Sequence, residues 1–123
     1  MDGGNSGSAA ANWVRVCAAE EIWPNIGVCA LVEGRQIAIF RLQDADGSGQ
    51  HDQFFAIDNY DPQSGANVLS RGLTGSLGGR LVVASPIYKQ HYDLATGECL
   101  EDAATPIRAY ALRVEDGQIW VAV

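Results

Sequence analysis

Short apolar runs, separated by polar and glycine-rich segments, dominate the chain from residue 12 onward. The runs lie at residues 13–17, 28–32, 36–42, 54–57, 80–84, 91–94, 110–114 and 118–123. Runs of this length that are rich in Val, Ile and aromatic residues are typical of strands, and turn signals recur every ~8–12 residues between them. We therefore predict an all-β domain, a sandwich or small barrel of about eight short antiparallel strands.

Glycines indicate where the strands turn. Gly34 and Gly117 each lie between two apolar runs, which predicts a hairpin at residues 33–35 and another at residues 115–117. Residues 18–22 are compatible with one short helical turn. Residues 43–53 and the long stretch 58–79 are predicted to be irregular loops, and a further loop begins at Ser85-Pro86. Loops of this length in a compact domain are usually functional.

Composition and charge limit the partners. The chain is 47% hydrophobic and 19% charged, and its formal net charge is −7. Phosphate groups repel such a surface, so nucleic acid and anionic membranes are poor partners, whereas a basic patch on another protein is a better one. No apolar run approaches the ~20 residues that a bilayer span needs. Residues 1–11 are rich in Gly, Ser and Ala and predict a flexible tail before a single domain at 12–123.

Three cysteines, Cys17, Cys29 and Cys99, are scattered along the chain. An odd number without CxxC spacing argues against a disulfide framework and for a reducing compartment. We expect three buried or half-buried free thiols. The N-terminus lacks the features of a secretory signal, and we expect a cytoplasmic protein.

Two motifs imitate ligand sites but are incomplete. Residues 44–49 resemble the start of an EF-hand loop, yet position twelve is Phe55 instead of a bidentate Glu and strands flank it. Residues 72–79 are glycine-rich, but neither the Lys-Ser/Thr pair nor the helix of a phosphate-binding loop follows. We interpret both as turns.

Catalytic and aromatic candidates are weak as well. His51 and His91 have no partners at metal-ligand spacing. A Ser85–His91–Asp93 triad can be written down, but nothing in the pattern fixes a base beside a nucleophile. Among the tryptophans, Trp13 and Trp120 are expected to cap the core, and Trp23 is the one expected to be exposed.

The two predicted loops carry a recognisable frame. Residues 56–65 read AIDNYDPQSG and residues 85–97 read SPIYKQHYDLATG. A Rieske domain has two loops with one Cys and one His each, of the type A-x-D-N-x-C-P-H-x-G and C-P-x-H-G-x-x-F-D-x-x-T-G. The positions that match the frame are Ala56, Asp58, Asn59, Pro62, Gly65, Pro86, Tyr92, Asp93, Thr96 and Gly97. The chain therefore resembles a Rieske-type ferredoxin domain, which implies a Rieske-like fold with two long loops.

The four ligand positions of that frame have changed together. Asp61 and Gln63 occupy the Cys and His positions of the first loop, and Ser85 and Tyr88 occupy those of the second. A Rieske cluster needs two thiolates on one iron and two imidazoles on the other. Because soft thiolates select iron–sulfur clusters and oxygen ligands do not, we expect no [2Fe–2S] cluster and no other metal or cofactor in this chain.

Within this class the sequence resembles the small subunits of assimilatory NAD(P)H-dependent nitrite reductases. The stretches that carry the similarity are 13–17, 24–32, 36–41, 56–62, 68–72, 84–90 and 97–102, of which SPIYKQ at 85–90 is the most specific. The loop at 44–52 looks longer than the frame requires. In that family a large subunit carries FAD, an iron–sulfur cluster and siroheme and reduces nitrite to ammonia. The resemblance implies that this chain is its non-catalytic partner.

The two loops that keep the Rieske frame without its ligands are predicted to bind a partner protein. Tyr60 and Tyr88 supply aromatic anchors, Lys89 a charge and Gln90 a polar group, which predicts a docking surface for the large subunit. Two alternatives stay open at this point: an electron-transfer protein whose cluster has unusual ligands, and a stand-alone β binding module.

Overall fold

The computed structural model describes residues 12–43 and 52–123. The predicted tail at 1–11, the EF-hand-like segment and His51 lie outside the described residues. The described part contains strands and two short 3-10 helices, Ala19–Glu21 and Leu69–Arg71. The strands are β1 (Trp13–Ala18), β2 (Val28–Val32), β3 (Arg35–Leu42), β4 (Gln53–Asp58), β5 (Tyr60–Asp61), β6 (Ala66–Asn67), β7 (Leu73–Leu77), β8 (Arg80–Ala84), β9 (His91–Asp93), β10 (Ala109–Tyr110), β11 (Leu112–Glu115) and β12 (Gln118–Ala122).

The strands form antiparallel sheets, which confirms the all-β prediction. One sheet has the order β1-β12-β11, a second β10-β4-β3-β2, and a third β7-β8-β9, while β5 and β6 form a two-stranded ribbon. The hairpin predicted at Gly34 joins β2 to β3, and Glu33 and Gly34 both have positive φ there. Asp116 and Gly117 have the same conformation between β11 and β12. Two consecutive residues with φ > 0 match the right-handed twist of a hairpin.

The central sheet is buried on both faces. Ile37 and Ile39 of β3 pack into one apolar cluster with β12, and Ala38 and Phe40 pack into another with β8 and β9. Alternate residues of a strand point to opposite faces, so β3 contributes to both clusters. As a result, the sheet β7-β8-β9 and the loops beside it are anchored to the rest of the domain.

Two predictions about the strands were wrong. Residues 58–79 are not wholly irregular, because residues 73–77 form β7, which pairs with β8 through Leu73↔Ala84 to Leu77↔Arg80. The run predicted at 110–114 is also two strands. Tyr110 pairs with β4 in the central sheet, whereas Leu112 pairs with β12 in another sheet. The change of sheet at Ala111 cannot be read from a continuous apolar run.

Exposure decides the remaining predictions. Trp23 is 71% exposed, as predicted. Trp13 and Trp120 are half-buried, but neither is among the partly buried residues that pack against the two apolar clusters, so the prediction that they cap the core is not confirmed. All three cysteines are free, but Cys29 lies exposed on the outer strand β2, so the prediction of three shielded thiols was wrong. The helices found in the described residues have three residues each, and none of them can span a membrane.

Candidate functional site

Loop 1 (residues 61–65) is closed on its first residue. Asp61 Oδ1 accepts a hydrogen bond of 3.0 Å from the Gln63 amide, and the Asp61 carbonyl accepts one of 2.7 Å from the Gly65 amide. An Asp side chain that binds the amide two residues later favours a tight turn, and Pro62 presets φ between them. Gly65 has φ +76, a conformation that glycine adopts without strain.

Loop 2 (residues 85–90) repeats this construction. Ser85 Oγ accepts a hydrogen bond of 3.3 Å from the Ile87 amide, and the Ser85 carbonyl accepts one of 3.0 Å from the Lys89 amide. The Ser85 amide donates to the Gln90 carbonyl at 2.9 Å. Both loops therefore consist of a polar residue, a proline and a turn closed by a bond between residues i and i+4.

The first residues of the two loops bind each other. Ser85 Oγ donates a hydrogen bond of 2.5 Å to Asp61 Oδ2, and both residues are fully buried. Ser64 Oγ donates to the same oxygen at 2.9 Å, and the Tyr92 hydroxyl donates to Oδ1 at 2.9 Å. Burial acts to raise the pKa of Asp61, but these bonds outweigh it, so the pKa lies below its usual value.

Gln63 points in another direction. Its amide nitrogen donates a hydrogen bond of 2.9 Å to Asp102, which also accepts one of 2.8 Å from Thr105. The bond from Gln63 is the main reason that the pKa of Asp102 is lowered. Loop 1 is thereby tied to the segment that follows β9.

Exposed apolar side chains lie next to the buried Asp61–Ser85 hydrogen bond. Tyr60 is 48% exposed, Ile87 45% and Tyr88 61%. Tyr60 lies across loop 1, since its hydroxyl is 3.8 Å from the position that a Cβ on Gly65 would occupy. Aromatic residues on a rigid support are the residue type that dominates protein interfaces. Ile87 was missed by the sequence reasoning, which considered only aromatic and charged residues of this loop.

The other two residues predicted for docking differ from each other. Lys89 is exposed, has φ +66, and its Nζ donates to the Pro86 carbonyl at 3.3 Å. Gln90 is half-buried, and its Oε1 is shielded and accepts no hydrogen bond from the described residues. Gln90 contributes to loop 2 through its carbonyl, whereas Lys89 is available to a partner.

The structure does not assemble the triad that the sequence allowed. Ser85 is bound to Asp61, and His91 Nδ1 lies 2.6 Å from Glu101 Oε2. Asp93 accepts a hydrogen bond of 2.7 Å from Arg80. The three residues thus belong to three separate networks.

The Asp61–Ser85 contact and the role of Tyr92 were not predicted. A signal for the contact was present in the sequence: the two Cys positions of a Rieske frame bind the same iron, so the residues that replace them are expected to lie close together. Tyr92 was recognised only as part of the frame. Its bond to a residue 31 positions away has no local signature.

The fold and the paired loops can be compared with known proteins. The sequence model of the Rieske-like [2Fe-2S] domain matches residues 12–122, and the chain belongs to this domain family. The nitrite reductase (NADH) small subunit of Salmonella typhimurium is 45% identical over 107 residues, which cover 87% of this chain and 94% of that protein. Within the Rieske-like class, the chain belongs to the family of nitrite reductase (NADH) small subunits.

Two further relatives extend the comparison. The NMR structure of the Escherichia coli protein NirD superposes with a TM-score of 0.80 at 41% identity, covering 92% of this chain and 97% of that one. The nitrite reductase [NAD(P)H] large subunit of Klebsiella oxytoca is 40% identical over 109 residues, which are 89% of this chain but 11% of that protein. A module of this kind therefore also occurs within a large-subunit polypeptide.

The family's cluster can be tested against the residues present. The four ligand positions offer a carboxylate, an amide, a hydroxyl and a phenol, and no thiolate or imidazole. Asp61 and Ser85 use their oxygens on each other and on neighbouring donors. Within residues 12–43 and 52–123, no group of three His, Cys, Asp or Glu side chains is arranged to hold a metal ion. These residues do not fit a [2Fe–2S] cluster.

Proposed function

We propose that this chain is a cluster-free, non-catalytic subunit of a cytoplasmic NAD(P)H-dependent nitrite reductase, and that it binds the large subunit through loops 1 and 2. The docking surface consists of the exposed Tyr60, Tyr88 and Lys89 together with the half-buried Gln90, which supports loop 2 through its carbonyl. By the family resemblance, FAD, siroheme and an iron–sulfur cluster belong to the large subunit, which reduces nitrite to ammonia.

The observation that carries the proposal is the buried hydrogen bond between Asp61 and Ser85. It joins the two loops at the positions where a Rieske domain has its thiolates, so redox chemistry is replaced by a rigid support. Tyr60 and Tyr88 are exposed beside that support. Large aromatic side chains on an ordered surface lose little entropy on binding and give much contact area.

Charge supports the choice of a protein partner. The chain carries 15 acidic and 8 basic side chains, and Lys89 is the exposed cation of loop 2. In a protein that is negative overall, one positive charge on the docking surface fixes the register of an interface more than it adds affinity. The match to a segment of the Klebsiella oxytoca large subunit supports the large subunit as that partner.

Docking is tested by Tyr88→Ala and Lys89→Glu in the full chain. We measure the dissociation constant for the purified large subunit and the rate of nitrite-dependent NAD(P)H oxidation. Tyr88→Ala is expected to weaken binding about 30-fold, as for a central aromatic anchor. Lys89→Glu is expected to slow association most strongly at low salt. Unchanged binding in both variants contradicts the surface.

Trp23→Ala is the matched control, since it removes an exposed aromatic ring elsewhere. Trp23 and loop 1 lie near opposite ends of β3. Pro24 forms a bridge to Arg41 near one end of the strand. At the other end, the Gln36 carbonyl accepts a hydrogen bond from the amide of Asn59, which lies two residues before loop 1. At about 3.3 Å per residue, Trp23 is roughly 16 Å from that end of the strand. Its replacement should leave binding unchanged.

The second candidate is an electron carrier with an unusually ligated cluster, which the family model for a [2Fe-2S] domain favours. A visible absorption spectrum and an iron and sulfide assay on anaerobically purified protein separate the two functions. The docking proposal expects a featureless visible spectrum and substoichiometric iron. Stoichiometric iron and sulfide would establish the carrier instead.

A further inference from the structure

Asp61 has a hydrogen-bond donor for every acceptor position of its carboxylate. Oδ1 accepts from the Gln63 amide and the Tyr92 hydroxyl, and Oδ2 accepts from the hydroxyls of Ser64 and Ser85. An ionised carboxylate offers about four such positions, so none is left over. The group is fully buried, and a buried carboxylate is tolerated only when it is hydrogen-bonded in this way.

The four donors come from three different parts of the fold. Gln63 and Ser64 belong to loop 1, Ser85 begins loop 2, and Tyr92 lies on β9 in the core. Ser85 itself closes loop 2 through its carbonyl and its Oγ. The Asp61–Ser85 bond therefore connects the residue on which loop 1 is closed with the residue on which loop 2 is closed.

This connection bears on the docking surface because of its position in the chain. Tyr60 directly precedes Asp61, and Tyr88 follows Ser85 by three residues, inside the turn that Ser85 closes. Without a bond between the loops, each aromatic side chain would be carried by a separate flexible turn. A partner that contacts both would then select one arrangement from many and bind more weakly.

We propose that Asp61 and Ser85 are positioning residues: their buried bond fixes loops 1 and 2 in one relative arrangement, so that Tyr60 and Tyr88 reach the large subunit together. This inference rests on the docking function proposed above. It assigns to a carboxylate and a hydroxyl the mechanical link that a metal cluster provides between the two loops of a Rieske domain.

Two serine variants of the full chain test the link. Ser85→Ala and Ser64→Ala each remove one hydroxyl from the same oxygen of Asp61, but only Ser85 belongs to the other loop. Amide hydrogen exchange is measured at Gln63 and Gly65 in loop 1 and at Lys89 in loop 2. Titration of the large subunit with each variant gives the half-saturating concentration and the maximal rate of nitrite reduction.

For Ser85→Ala we expect exchange at Gln63 and Gly65 to accelerate about tenfold, although the substitution lies in loop 2. If about one in ten of the relative arrangements of loops 1 and 2 can still bind the large subunit, the half-saturating concentration rises about tenfold and the maximal rate is unchanged. Ser64→Ala should alter exchange in loop 1 alone and shift half-saturation by no more than about twofold. Near-UV circular dichroism verifies that both variants are folded.

The positioning role is overturned if the two variants behave alike, or if Ser85→Ala speeds exchange in loop 1 without shifting half-saturation while Tyr88→Ala still weakens binding. If Tyr88→Ala has no effect either, the docking surface itself has failed. Should Ser85→Ala not fold, Asp61→Asn replaces it: Oδ1 still accepts from the Gln63 amide and the Tyr92 hydroxyl, but Nδ2 cannot accept the hydroxyl of Ser85, so the bond from Ser85 to a carboxylate oxygen is lost. The positioning role is equally overturned if Asp61→Asn speeds amide exchange in both loops but leaves the half-saturating concentration unchanged.

Discussion

The hydroxyl of Tyr92 lies 2.9 Å from Oδ1 of Asp61, and both side chains are fully buried. This bond connects loop 1 to β9 and through it to the apolar cluster around Phe40 and Val83. Burial raises the pKa of Tyr92, and the bond to Asp61 raises it further, so Tyr92 stays a donor at every physiological pH. The support of the two loops therefore extends into the core.

Tyr92→Phe should destabilise the domain by about 1.5–3 kcal/mol, the range for a buried hydrogen bond to a charged group. The phenyl ring is retained, so packing is nearly unchanged, while Oδ1 of Asp61 keeps the Gln63 amide as its donor. Urea unfolding measures the loss. The comparison variant is Tyr88→Phe, which removes an exposed hydroxyl and should cost less than about 0.5 kcal/mol. Equal stabilities would show that the hydroxyl of Tyr92 does not support the carboxylate.

Acid should weaken the contribution of Asp61. Its pKa is about 3.9 in an unfolded chain and lower in the folded protein, because four hydrogen bonds outweigh burial. The unfolded state thus takes up the proton first, and the stabilisation is complete above about pH 5 and lost as the pH falls through the folded pKa. The free energies of unfolding of the wild type and of Asp61→Asn should therefore differ most at neutral pH and converge toward pH 3.

Unfolding titrations at pH 7, 5, 4 and 3 check this. Val83→Ala is a suitable control, since it removes buried apolar volume and no titratable group, and its cost should be the same at each pH. A gap between wild type and Asp61→Asn that stays constant down to pH 3 would mean that the folded pKa is not lowered.

Part of this architecture follows from the sequence and part does not. Local signals predict the hairpins at Gly34 and Gly117, because φ > 0 is a property of single residues. The Rieske frame locates both loops, because prolines and glycines act within a few positions of themselves. In contrast, β7 was read as a loop since Gly75 interrupts its run, and only pairing with β8 makes it a strand.

Long-range side-chain contacts lie beyond such local reasoning. The bond between Asp61 and Ser85 joins residues 24 positions apart, and that between Gln63 and Asp102 joins residues 39 positions apart. No periodicity or spacing predicts either bond; only the Rieske frame, in which the two Cys positions share one iron, implies that Asp61 and Ser85 lie close together. The replacement of four ligands could be read residue by residue, but the new network that they form depends on the tertiary fold.

Gly97 should not tolerate a side chain. It has φ +83, and a Cβ there would lie 2.1 Å from the carbonyl oxygen of Ile107. Gly97→Ala should therefore cost about 1–2 kcal/mol for the left-handed backbone and a further ~1–3 kcal/mol for overpacking. Gly34→Ala is the matched control, with φ +82 and no described atom within 4 Å of the new Cβ, and it should show only the first cost. Thermal unfolding of both variants separates the two effects, and equal losses would exclude the clash.

Asn59, which lies two residues before loop 1, should contribute strongly to the stability of the domain. It is 2% exposed, its Oδ1 accepts a hydrogen bond of 2.7 Å from the Ser70 amide, and its Nδ2 donates to Gln36 Oε1 at 3.2 Å and to Cys29 Sγ at 3.4 Å. Asn59→Ala leaves the Ser70 amide without this acceptor, which should cost about 1–3 kcal/mol.

Asn59→Asp refines the test, because it has the same shape and keeps Oδ1 for the Ser70 amide. Its second oxygen faces Gln36 Oε1, an acceptor that requires a donor. We therefore expect Asn59→Asp to be destabilising at neutral pH. The loss should be smaller in acid, because a protonated carboxyl group can donate. Asn67→Ala, at an exposed position of β6, serves as the control and should change stability by less than about 0.5 kcal/mol. Equal stability of Asn59→Asp and wild type at pH 7 would show that the Nδ2 bonds do not contribute.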